Sequence, residues 1–203
     1  DVFIKDPLTN NVDIQQVLHT ARKKLFNNFN IINSVDVIYV GQFKEFVEFD
    51  YNAMYKDGAM YITNQQDDLN DMLDDIVHEY AHAIEDKNYN LIYSDKAIQK
   101  EFLVKRNILE NRLKNKYDLS EYDLSSIHFN NDLDRFFRDI VGYQKLREYV
   151  KDVFLDAYSV TSINEYFATA FDKYFLGNRL IVKAMCPQAF KKIETILYCI
   201  IIL

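Results

Sequence analysis

Tryptophan is missing from this 203-residue chain, and glycine (4), proline (2) and cysteine (2) are scarce. So few glycines and prolines exclude a collagen-like stretch, a flexible linker or a low-complexity region. Two cysteines cannot staple a small disulfide scaffold. If 187–199 is helical, the 13 residues from Cys186 to Cys199 separate them by roughly 19 Å, too far for a bridge, so two free thiols are expected. No apolar run reaches the roughly 20 residues that span a bilayer. The apolar tail Ile196–Leu203 reads instead as a buried terminal helix or strand. No signal peptide is visible at Asp1, so the chain reads as a mature form or an excised piece. Basic residues are outnumbered, 24 against 31 acids, for a net charge of −7. That balance argues against a nucleic-acid partner, which needs basic patches, and suits a basic substrate or plain solubility. The 49% hydrophobic and 27% charged fractions are ordinary for a globular protein.

What the chain does have is the pentad His78-Glu79-Tyr80-Ala81-His82. Leu69, Met72, Leu73, Ile76, Val77, Tyr80, Ala81 and Ile84 recur at the spacing of one helix face. Asp67, Asp68 and Asp71 fall in the first turns, where the helix dipole favours acids. Histidines four apart share a face of such a helix, so both imidazoles can reach one Zn2+. The glutamate between them can then take a proton from the water that the metal activates. The bland alternative is two histidines decorating a polar face.

Catalytic zinc takes a third protein ligand. His19 and His128 read as ordinary histidines. Glu101 lies in a charged run (Lys96, Lys100, Glu101, Lys105, Arg106) that reads as a solvated helix face. Glu165 is the stronger candidate. It lies in Ser162-Ile163-Asn164-Glu165-Tyr166-Phe167-Ala168-Thr169-Ala170-Phe171, where Ile163, Phe167, Ala170, Phe171, Tyr174 and Phe175 mark a buried stripe. Small residues at 168 and 169 permit close helix approach. Ser162-x-x-Glu165 is also a capping box, so ligand and cap both stand as readings of Glu165.

His78 to Ile84, followed by Asn164 to Phe171, resembles the anthrax lethal factor-like zinc metallopeptidases, which include the lethal factor protease domain and the Pro-Pro endopeptidases. The resemblance covers roughly residues 60–195, and the segment Met185-Cys186-Pro187-Gln188-Ala189-Phe190 adds to it. It implies His78, His82 and Glu165 as zinc ligands, Glu79 as general base, and Tyr158, seven residues before Glu165, as oxyanion donor. It also implies a zinc endopeptidase with a zincin-like fold and secretion; an intracellular or virus-encoded origin is the alternative. Two departures concern site tuning. Thr169 stands where several members carry a second acid, which leaves Asp172 as the outer-shell candidate, and Glu85 stands where an aspartate is usual. A zinc-binding module without proteolytic activity and a metal-free helical interaction protein are the competing classes.

Gly58-Ala59-Met60-Tyr61-Ile62 precedes the His-bearing helix and reads as a strand. In zinc peptidases an edge strand at that place pairs with an extended substrate, so these five residues are the expected substrate strand. The expected partner is a protein or peptide in extended form, and a monomer is expected. Elsewhere, 13–28, 94–116, 131–157 (broken near Gly142) and the segment from Pro187 read as helices. Val35–Val40 reads as a strand, Phe43–Phe49 is ambiguous, and the Tyr-Asp-Leu-Ser repeats at 117 and 122 read as turns. The expectation is one α+β domain over 1–203, mostly helical, with a small twisted sheet packed on the metal-binding helix: 1–86 supplies sheet and helix, and 87–203 a helical lobe.

Overall fold

A computed structural model describes residues 1–9, 12–25, 34–49 and 51–201. The chain is mostly helical, with one small mixed sheet, which makes it an α+β protein. It divides into two compact units, Asp1–Asn88 with Leu197–Leu203, and Tyr89–Ile196.

The first unit carries the sheet. Its strands are β1 (Val2–Ile4), β2 (Val37–Val40), β3 (Ala53–Lys56) and β4 (Ala59–Ile62), in the order β1-β2-β4-β3. β1 and β4 run parallel to β2, and β3 runs antiparallel to β4. Side chains alternate between faces. Ile38, Val40, Met60 and Ile62 are each no more than 5% exposed. Phe3, Tyr39 and Tyr61 stack across the other face, with ring centroids 5.6 and 5.3 Å apart. Helices α1 (Ile14–Leu25), α2 (Lys44–Phe49) and most of α3 (Leu69–Tyr93) also belong to this unit. Residues 26–28 of the expected first helix lie outside the described residues, and the ambiguous 43–49 segment is helical from Lys44.

The topology corrects the expected substrate strand. Gly58–Ile62 does supply a strand, β4, but it is an inner one, hydrogen-bonded to β2 and β3. The edge next to it is β3. The cause is a hairpin turn at Asp57-Gly58, with φ of 50° and 83°. Two central residues at positive φ give the turn whose twist matches that of paired strands. Gly58 is needed there twice over, because a Cβ would also stand 2.6 Å from Asp36 Oδ2.

The second unit is helical. It holds α4 (Ala97–Leu113), α5 (Asn131–Arg135), a π-helical turn (Phe136–Val141), α6 (Tyr143–Val150), a 3₁₀ turn (Tyr158–Val160), α7 (Ile163–Phe175), α8 (Arg179–Met185) and the start of α9 (Pro187–Ile201). The expected helical stretch 131–157 is indeed broken at Gly142, which takes φ 80° and ψ 127°, but it is less regular and shorter: α5 gives way to the π turn, and regular helix ends at Val150. The expected solvated face of α4 is also corrected. Lys105 and Arg106 are 9% and 0% exposed. The Lys105 ammonium donates to the carbonyls of Val153 (2.6 Å) and Met185 (2.5 Å) and lies over the rings of Phe154 and Tyr166. Arg106 donates to Thr161 O at 3.0 Å and lies against Phe102 and Phe137. Carbonyls and ring faces thus stand in for counter-ions. Cys186 is a buried free thiol, while the side chain of Cys199 lies outside the described residues. Among the described residues no helix is long and apolar enough to cross a membrane.

Candidate metal centre

The pentad lies inside α3. Asp68 caps this helix, accepting the N–H groups of Asn70 (2.6 Å) and Asp71 (3.1 Å). Its apolar stripe is buried: Met72, Ile76, Val77 and Ala81 are each 0% exposed. Tyr80 meets Leu18, Ala21 and Leu25 of α1 and Val37 and Ile38 of β2 around a small cavity. Burial of that stripe fixes the helix rotation and so sets where the histidines point. The helix is regular through the pentad and departs from helical geometry only at Asn88 (φ −119°, ψ 20°). The segment leading into it is tied down too. Gln66 donates to Thr63 O (3.2 Å) and to Asp75 Oδ2 (3.0 Å).

His78 and His82 are half-buried, with ring centroids 5.1 Å apart and planes at 75°. Glu79 is only 6% exposed. His82 Nδ1 lies 3.3 Å from Glu85 Oε2, and Glu85 is 4% exposed. A buried carboxylate on Nδ1 favours the tautomer that keeps Nε2 available as a ligand. Glu85 therefore serves a histidine. One turn before His78, burial pushes the Asp75 carboxyl up to about 6, with Asp71 and Glu79 adding to the rise and Gln66 and His78 opposing it.

Glu165 lies in the first turn of α7. Ser162 Oγ accepts the Glu165 N–H at 3.1 Å, so Ser162 caps this helix as its sequence pattern indicates. The cap uses the Glu165 backbone, and the carboxylate is a ligand candidate as well. His78, His82 and Glu165 each offer one ligand atom, and these atoms all lie within 4.8 Å of one another. This is the one group of three or more His, Cys, Asp or Glu side chains among the described residues that could hold a metal ion. Two imidazoles and a carboxylate are a donor set that suits zinc.

Tyr158 opens the 3₁₀ turn and is half-buried. Thr161 Oγ1 donates to Tyr158 O at 2.8 Å, and Arg106 holds Thr161 O in turn. The buried arginine thus braces the backbone between Tyr158 and Glu165. The other candidates are not members of the group. His19 and His128 are exposed. Glu101 accepts the Tyr166 hydroxyl and the Gln188 N–H, each at 2.9 Å, so it is a structural acceptor. Thr169 is buried at 1% exposure, and Asp172, at 6%, is paired with Lys173 at 3.0 Å. Sequence reasoning passed over Tyr143, whose ring lies against Tyr158 with centroids 6.0 Å apart. The helix-breaking Gly142 just before it was the available signal.

Fold and site together define a mostly helical α+β protein with a His–His–Glu group able to hold a metal ion. Compared with protein-family models, curated proteins and solved structures, the chain matches none of them.

Proposed function

We propose that this chain is a zinc-dependent endopeptidase with a zincin-like fold, similar to the anthrax lethal factor-like metallopeptidases. The observation that carries the reading is the meeting of His78, His82 and Glu165 within 4.8 Å, with Glu79 buried between the two histidines in sequence. His78, His82 and Glu165 would hold the ion. When bound, zinc supplies Lewis acidity, which polarises a scissile carbonyl and acidifies water.

The chain's own residues account for the rest of the reaction. Glu79 accepts the proton of the attacking water and passes it to the departing amine. Tyr158 donates its hydroxyl hydrogen to the oxygen on which negative charge develops. Glu85 holds the His82 ring in its ligating orientation. An extended peptide adds to β3 (Ala53–Lys56), an outer strand of the sheet among the described residues, where main-chain pairing gives affinity and alternating side chains give selectivity.

The test is cleavage of a peptide library by the zinc-loaded parent and by Glu79→Gln. The parent is expected to cut and the variant to bind zinc without cutting. A variant that cuts as fast as the parent would remove Glu79 from the mechanism.

A further inference from the structure

The second unit contains a half-buried polar arrangement that the proposed mechanism does not use. Tyr143 donates its hydroxyl hydrogen to Asp134 Oδ1 at 2.5 Å. Arg138 Nη1 lies 3.9 Å from the other oxygen of Asp134, whose side chain is only 12% exposed. The Tyr143 ring packs edge-on against the Tyr158 ring, with centroids 6.0 Å apart and planes at 64°. Burial, and then the Asp134 bond, hold the Tyr143 phenol far above its ordinary range, and the Glu165 charge acts in the same direction. Tyr143 therefore stays protonated and keeps donating.

The backbone is shaped for this contact. α5 is capped by Asn130, whose side chain accepts the N–H groups of Asp132 and Leu133. It runs into the π turn, a feature frequent at functional sites. Gly142 then takes φ 80° in open space, where a Cβ would meet nothing within 4 Å. Glycine is thus present for its dihedral and not for room. Its turn ends the π segment and starts α6, which brings Tyr143 back against the helix that bears Asp134.

The geometry points to Tyr143, fixed by Asp134, as a positioning residue that holds the Tyr158 ring for catalysis. This rests on the peptidase reading for the role of Tyr158, although the positioning itself does not require it. Tyr143 acts through Tyr158 and touches no reacting atom. Without the Tyr143 contact the Tyr158 side chain gains freedom about its Cα–Cβ bond, which swings the hydroxyl, and a misplacement of about 1 Å can cost about 100-fold in rate.

The experiment pairs spectroscopy with kinetics in Tyr143→Phe and Asp134→Asn, both of which preserve side-chain shape. Protein carrying 3-fluorotyrosine gives a fluorine resonance for Tyr158, assigned by its loss in Tyr158→Phe. That resonance is expected to shift or broaden in both variants. With zinc bound, kcat is expected to fall roughly 10- to 100-fold, with KM and zinc content unchanged. In a Tyr158→Phe background, Tyr143→Phe is expected to cost nothing further. An unmoved Tyr158 resonance, an unchanged kcat, or equal losses in the two backgrounds would each overturn the assignment. A parent with no metal-dependent cleavage retires the peptidase reading alone, and the resonance then decides the positioning claim.

Discussion

Helices α3 and α4 both bury charge, and of opposite sign. On α3, Glu79 and Glu85 are 6% and 4% exposed, and Asp75 is held up at about 6. On α4, Lys105 and Arg106 are 9% and 0% exposed. The α4 cations are answered by the protein itself, through carbonyls and ring faces, and make no ion pair among the described residues. Such cations fix a core. The α3 acids gather about two imidazoles instead, one of which already has a carboxylate on Nδ1. Buried negative charge around two imidazoles is an arrangement that a dication would stabilise. One helix thus shows charge used as structure and the other charge arranged beside two histidines of a group that could hold a metal ion.

The contrast is broken most sharply at Glu79. Glu79→Gln is expected to lower peptide cleavage about 100- to 10,000-fold with the fold and bound zinc intact, as read by turnover and metal analysis. On α4 the effect falls on stability. Lys105→Met strands the carbonyls of Val153 and Met185 and is expected to cost about 2–4 kcal/mol in urea unfolding. Arg106→Met strands only the Thr161 carbonyl. It also removes a guanidinium whose Nε and Nη1 have no hydrogen-bond partner among the described residues, so its unfolding free energy should stay within about 1 kcal/mol of the parent. Equal losses in the two variants would erase the difference drawn between these neighbours.

Asp75 sharpens the acidic side. Its folded carboxyl titrates near 6 against an ordinary 3.8, so over that range the folded chain keeps a proton that the unfolded chain has released. Stability of the metal-free protein therefore falls as pH rises from about 4 to 6 and levels off above. Asp75→Asn should remove that slope and be the more stable at pH 8, by at most about 3 kcal/mol. Urea titrations at several pH values decide it, and an unchanged slope would contradict the assignment. A modest effect is expected at the turn. Gly58→Ala must hold positive φ and displace Asp36, at about 1–2 kcal/mol in thermal unfolding.

How much was legible varied for physical reasons. α3 was readable because one apolar stripe and its acidic start both follow the helix period. Glu165 was findable because Ser162 marks where its helix begins. Asp57-Gly58 is a turn signal, but β3 before it is only four residues long, so the sequence alone reads β4 as an edge. β1, three residues long and largely exposed, carries no alternation to read. Lys105 and Arg106 were misjudged because charge periodicity cannot see the carbonyls and rings that meet them, which come from residues 137–185 as well as from Phe102 nearby. Tyr143 depends on a π turn, which shifts register in a way that a 3.6-residue period does not contain.

The central claim is that His78, His82 and Glu165 hold one catalytic metal ion. Its most direct test is a zinc-binding isotherm of the chelator-stripped chain, run beside Glu165→Ala. The account requires one tight zinc per parent chain and a marked loss of affinity in the variant, with the circular dichroism of both unchanged. A parent that binds no zinc, or a variant that binds it as tightly, would contradict the account.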